Sequence, residues 1–183
     1  RVLSEDGRPL PPAGFITAAE RHGLMSRVDR WVVETVLQRL PQLPADAHLS
    51  INLSGQSIGD PIFCDFLLSA LDAAAVALGR LAFEITETSA VRSMETALDL
   101  IAGLKARGVD VVLDDFGSGL SSFGYLRRFD VDMLKIDGNI IGNVREDKVQ
   151  QTIVAGIVAV AEVMQVRVVA EYVEDRETME VLR

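Results

Sequence analysis

Five short runs rich in apolar and β-branched residues recur along the chain: 48–54 (HLSINLS), 80–87 (RLAFEITE), 109–115 (VDVVLDD), 132–137 (DMLKID) and 167–173 (RVVAEYV). No other feature constrains the fold as strongly. Each run has strand length, and near-continuous apolar strands are the pattern of a parallel sheet buried on both faces. Helix-length amphipathic segments lie between them. DPIFCDFLLSALDAAAVAL follows the first run, and SMETALDLIAGLKARG follows the second, with Ser93 as N-cap and Gly108 as stop. REDKVQQTIVAGIVAVAEVMQ precedes the fifth run, and Asp175 caps a helix that opens at DRETMEVLR. One earlier helix is expected through FITAAERHGLMSRVDRWVVETVLQRL, ending near Pro41. Strand–helix alternation with a repeat of about 25–35 residues predicts βαβ units. Two architectures then compete, the doubly wound sheet and the (β/α)8 barrel. No GxGxxG follows the first run, which weakens the dinucleotide-binding form of the doubly wound sheet.

Each run carries its polar residues at its C-terminal end. Asn52 ends the first, Glu84 and Glu87 the second, Asp114 and Asp115 the third, Lys135 and Asp137 the fourth, and Glu171 and Glu174 the fifth. Parallel strands point the same way, so these groups gather on one rim, and in a barrel that rim holds the active site. Adjacent strands are about 4.8 Å apart. Carboxylates on neighbouring strand ends would repel by about 3 kcal/mol per pair at an effective dielectric of about 20. Cations would offset that repulsion, and a rim of Asp, Glu and Asn oxygens suits hard divalent metals. Any one of these acids, taken alone, is more often a helix cap or a solvated loop charge. Their joint placement on five consecutive strand ends points to a functional rim.

The remaining composition narrows the function. At 183 residues the chain fits one domain, and its formal net charge of −9 argues against a nucleic-acid polymer as partner. No apolar run reaches the length of a membrane span. The one cysteine, Cys64, permits no disulfide within the chain and reads as a small buried hydrophobe. DDFG shares a tripeptide with protein kinases, but no HRD loop accompanies it. His22 and His48 lack ligand spacing and read as structural, while Trp31 and the phenylalanines read as core.

INLS, FEITET, LDDFGSGLSSFGYLRRFDVDMLKID and VVAEYVED, in that order and spacing, resemble the EAL-domain family, the cyclic di-GMP phosphodiesterases of bacterial signalling. The resemblance covers essentially the whole chain. It implies an α/β fold, a (β/α)8 TIM-like barrel of which five strands are visible, as a single domain over residues 1–183 cut at both ends. The EAL tripeptide, whose glutamate is a metal ligand in active members, and the late glutamine–glycine signature lie outside the sequence. The resemblance also implies hydrolysis of cyclic di-GMP to linear pGpG with two Mg²⁺ or Mn²⁺ ions. The expected setting is cytoplasmic, often as a homodimer and often fused to sensory or cyclase-type domains.

Carried onto this sequence, the family pattern makes Asn52, Glu84 and Asp114 ligands of a first metal. Asp114 would bridge to a second, which Asp115 and Glu171 help to bind. Lys135 resembles the residue that holds and polarises the attacking water, and Glu171 is also a general-base candidate. Glu87 resembles the glutamate that anchors the loop after DDFG, and it is placed to accept from backbone N–H groups or hydroxyls of that loop, such as Ser118, Ser121 and Ser122. Arg1 resembles a phosphate contact. Calcium, with longer bonds and looser coordination, is expected to inhibit. SGL stands where family members often read TGY, and Tyr172 stands where many have glycine, with room to narrow the pocket. Two other functions compete: a non-catalytic receptor that binds cyclic di-GMP and relays it to a partner, and an enolase-type barrel using metal and lysine for proton abstraction.

Overall fold

The computed structural model describes residues 6–118 and 123–183. Helices α1 (Pro12–Arg21) and α2 (Met25–Arg39) lead into strand β1 (Leu49–Leu53), followed by the single turn α3 (Gly55–Ile58) and α4 (Pro61–Ala73). Strand β2 (Leu81–Thr86) precedes α5 (Glu87–Arg92) and α6 (Met94–Lys105), and β3 (Asp110–Phe116) precedes the short α7 (Phe123–Leu126). Strand β4 (Met133–Ile136), α8 (Gly138–Ile141), α9 (Lys148–Met164), β5 (Arg167–Ala170) and α10 (Arg176–Val181) complete the order.

The strands form one five-stranded sheet in the order β1-β2-β3-β4-β5, and every pair is parallel. Sequential order decides between the two architectures. A doubly wound sheet reverses direction at a switch point, whereas consecutive neighbours are the rule in a (β/α)8 barrel. The chain is an arc of that barrel type.

Burial corrects one expectation. Only the central strand β3 is buried on both faces; exposure alternates along β1, β2 and β4. Ile51, Leu53, Phe83, Ile85, Val111, Leu113, Leu134 and Ile136 are buried against the helical layer, and α2, α6 and α9 contact β1, β3 and β5. Burying each such side chain stabilises the fold by about 1.5–3 kcal/mol. The opposite face carries Ser50, Asn52, Ala82, Glu84 and Lys135, which are exposed or half-buried.

Helix boundaries differ in two places. The expected single N-terminal helix is two, because Gly23 takes a left-handed φ of 64° and turns the chain between α1 and α2. Ser93 stands at the N-cap position of α6 without a side-chain cap bond, while Asp175 does cap α10 by accepting from Thr178 N. Trp31 is 58% exposed on α2 and is not core. Phe63, Phe83, Phe116 and Phe129 are buried as expected, as is Cys64, whose thiol is pushed up to about 11 by burial and then by Asp60 and Asp65.

Candidate active site

The rim is built by strand register. Asn52 on β1 sits opposite Glu84 on β2, and Thr86 at the end of β2 sits opposite Asp114 on β3. Between β3 and β4 the register shifts: Leu113 pairs Leu134 and Phe116 pairs Ile136, so Asp114 and Asp115 both face Lys135. This bulge lets two successive residues approach the same rim, where a regular strand would turn them to opposite faces. Asp115 absorbs the extra residue with a left-handed φ of 53°, a conformation aspartate tolerates better than most residues. Gly117, at φ 95°, then turns the chain beneath Ile140, whose Cδ1 would lie 2.3 Å from any added Cβ.

Lys135 is the hub. Its Nζ lies 2.6 Å from Glu171 Oε1, 2.9 Å from Asp114 Oδ1 and 3.1 Å from Glu84 Oε2. The lysine side chain is 20% exposed and the three carboxylates less so. Burial opposes the ammonium charge, but hydrogen bonds to Glu171, Asp114 and Glu84 together outweigh it and raise the lysine pKa above its ordinary value. Asp115 is shifted upward by burial and then by the charges of Asp114, Asp137 and Glu171. Asp114, Asp115 and Glu171 each offer a carboxylate oxygen within 4.8 Å of the others. Asn52 is exposed on the same face, one strand beyond Glu84.

Glu87 takes no part in this cluster. It is the first residue of α5, behind the N-cap Thr86, and is 2% exposed. Its Oε2 accepts from Gly117 N at 2.8 Å, which ties α5 to the start of the loop after DDFG. Ser118 is not its partner: the Ser118 hydroxyl donates to Asp115 O at 2.8 Å and closes the loop on itself. Ser121, Ser122 and Arg1 lie outside the described residues. Asp137 is a rim acid that caps α8 by accepting from Asn139 N at 2.7 Å.

Beside Asp115 opens a cavity of about 490 Å³ lined by Asp137, Gly138, Asn139, Tyr172, Glu174 and Asp175. Tyr172 is 73% exposed with φ 53°, and its ring lies over Gly138, where a Cβ would come within 2.3 Å of Cδ2. A left-handed backbone at this position is one that glycine adopts freely and tyrosine does not. Sequence reading missed Asp29, a buried acid at 4% exposure behind β1. A charge on a helix passes for a solvated one. The available signal was its spacing, because Met25, Asp29 and Val33 follow at i, i+4 and i+8 on the buried stripe of α2.

An arc of parallel β/α units with carboxylates and one lysine converging at the C-terminal rim defines a barrel-type α/β protein with an acidic, lysine-centred site. The EAL domain family matches residues 1–183, and the chain belongs to it. The cyclic di-GMP phosphodiesterase PdeB of Shewanella oneidensis is 37% identical over 186 residues, covering 100% of this chain and 22% of that protein. The chain therefore spans about a fifth of the length of that relative. Among solved structures, the FimX EAL domain from Pseudomonas aeruginosa bound to c-di-GMP superposes with a TM-score of 0.88 at 30% identity, covering 100% of this chain and 74% of that one. Klebsiella pneumoniae BlrP1 in a manganese and c-di-GMP complex gives 0.80 at 30% identity, covering 98% of this chain and 46% of that one. The similar structures thus include c-di-GMP complexes, among them complexes of BlrP1 with manganese and with calcium.

Proposed function

We propose that the chain hydrolyses one phosphodiester bond of cyclic di-GMP to linear pGpG with the help of divalent metal ions held at the rim. The observation that carries this is the convergence of Glu84, Asp114 and Glu171 on the Lys135 ammonium, with Asp115 alongside. The donor chemistry fits Mg²⁺ or Mn²⁺: carboxylate and amide oxygens, several of them within reach of one ion. Four carboxylates face a single lysine, an excess of negative charge that would repel a phosphodiester unless cations offset it. Asn52, Glu84 and Asp114 would hold a first ion, and Asp114, Asp115 and Glu171 a second. Ions so held supply charge stabilisation to the phosphoryl oxygens and lower the pKa of water.

The chain's own groups do the rest. Lys135 Nζ, within 2.6–3.1 Å of the three carboxylates, would offer a fixed positive charge where negative charge develops. Glu171, whose Oε1 lies 2.6 Å from that Nζ, would be a general base for an attacking water. The β3 bulge presents Asp114 and Asp115 together, and the bond from Gly117 N to Glu87 holds the loop that follows them. The family resemblance supports a cytoplasmic homodimer joined to sensory or cyclase-type domains as the setting. Among the described residues no helix is long and apolar enough to cross a membrane.

Asp114→Asn tests this reading. Chromatography of the products should show pGpG from the parent protein in Mg²⁺ and none from the variant, while cyclic di-GMP binding weakens less. Normal hydrolysis by the variant would overturn it. Binding without hydrolysis by the parent would favour a receptor.

A further inference from the structure

We propose that Asp29 is a positioning residue for Asn52, and through it for the first metal. The proposal rests on the reading of Asn52 as a ligand. Asp29 lies on α2, on the far side of β1 from the rim, and its carboxylate is almost fully buried. A buried carboxylate is costly unless it is hydrogen-bonded. Here both bonds go to one short turn. Asp29 Oδ2 accepts from Ser54 N at 2.9 Å and from the Ser57 hydroxyl at 2.6 Å. Ser57 is fully buried.

That turn begins two residues after Asn52. Ser54 ends the extended run of β1 and caps α3, its hydroxyl accepting from Ser57 N. The Ser54 hydroxyl also donates to Ser57 Oγ at 3.0 Å, so the carboxylate, the backbone N–H and both serines form one closed network. Gln56 ties the same turn to the α1–α2 corner, accepting from Met25 N and donating to Glu20 O at 2.6 Å. The end of β1 is therefore fixed from behind by a charge. Asn52 is exposed on the open face in register with Glu84 on β2, and its backbone runs directly into the turn that Asp29 holds. Partners that orient a ligand in this way typically contribute about 10–100-fold to metal affinity.

The network also explains why a charged acceptor stands at position 29. One oxygen takes two donors, the backbone N–H of Ser54 and the buried hydroxyl of Ser57, and charge-assisted bonds are the stronger kind. Asparagine keeps an oxygen in the same place and alanine does not, so the two substitutions separate the bond from the volume.

The test is Mn²⁺ binding to the metal-free protein, followed by calorimetry with the ion alone, for the parent, Asp29→Ala, Asp29→Asn, Asn52→Ala and Asp29→Ala/Asn52→Ala. Asp29→Ala should weaken Mn²⁺ binding by about 10-fold, and Asp29→Asn by much less. The double variant should bind no more weakly than Asn52→Ala, because both changes act through one ligand. Amide exchange at Ser54 should quicken in Asp29→Ala while β3 and β4 stay protected. If Asp29→Ala does not fold, Ser57→Ala replaces it in the same cycle, with a smaller loss of the same sign. Losses that add would overturn the proposal, since they would mean a general effect on the fold. Unchanged binding in Asp29→Ala beside weakened binding in Asn52→Ala would overturn the proposal alone. Unchanged binding in Asn52→Ala would overturn the ligand reading of Asn52, and the proposal with it.

Discussion

Replacing Lys135 by methionine should have opposite effects on stability and on metal affinity. The ammonium is bonded to three carboxylates at 2.6–3.1 Å. Without it, Glu84, Asp114 and Glu171 face one another at roughly 5 Å, and each like pair repels by about 3 kcal/mol at an effective dielectric of about 20. The side chains are 12–18% exposed, so they can turn outward and recover part of that cost. A net loss of about 3 kcal/mol is in the range for breaking one partner out of a buried ion cluster. For a chain of this length that is a fall in Tm of about 6–12 °C in the metal-free protein. A divalent ion bound to the same oxygens would lie within about 5 Å of Nζ, where a double and a single positive charge repel by about 6 kcal/mol before screening. Lys135→Met should therefore bind Mn²⁺ more tightly than the parent, and Mn²⁺ should raise its Tm by more. Turnover should nonetheless fall by about 10²–10³. Melts of both proteins with EDTA and with saturating Mn²⁺ check this. A metal-free variant as stable as the parent, or an equal Mn²⁺ shift in both, would show that the cluster is not the charged hub described here.

Other outcomes follow from the same geometry. Glu87→Gln should lower kcat and raise the Mg²⁺ requirement, because a charge-assisted bond to Gly117 N contributes about 1.5–3 kcal/mol to holding the loop; unchanged metal dependence beside an intact melt would refute the anchoring role. Tyr172→Gly should leave Tm unchanged or higher, since it removes a left-handed tyrosine that costs about 1–3 kcal/mol and is 73% exposed; a large fall in Tm would show that the ring carries more packing than its exposure indicates. The Cys64 thiol, with a pKa of about 11 in place of 9.0, is mostly protonated at pH 8. Its alkylation should be roughly 100-fold slower than that of a free thiol and should quicken as pH rises toward that value, and a rate like that of an exposed thiol would contradict its burial.

The strands and the rim were legible because both are written in local pattern. Apolar runs implied the sheet, and the polar residue at each C-terminal end implied a shared rim before any register was known. Glu84, Asp114, Lys135 and Glu171 meet as that pattern implies. What was not legible depends on backbone angles and on packing across the sequence. The β3 bulge rests on a left-handed aspartate, which carries no glycine to announce it. Gly23 could have announced the break between α1 and α2, but the helical periodicity on either side of it hid the turn. Trp31 was assigned to the core on its residue type, yet it stands off the Met25–Asp29–Val33 stripe and points outward. Asp29 was overlooked for the converse reason, a charged type on the buried stripe. Glu87 was expected to accept from backbone N–H groups or hydroxyls of the loop after DDFG, and among the described residues it accepts from the N–H of Gly117.

The most direct measurement is a time course of cyclic di-GMP hydrolysis, read by anion-exchange chromatography in Mg²⁺, in Mn²⁺, in Ca²⁺ and in EDTA. The account predicts linear pGpG in Mg²⁺ and Mn²⁺, strong inhibition when Ca²⁺ is added to Mg²⁺, and no product in EDTA. Product formed at the same rate in EDTA, or cyclic di-GMP bound but intact in every metal, would contradict it.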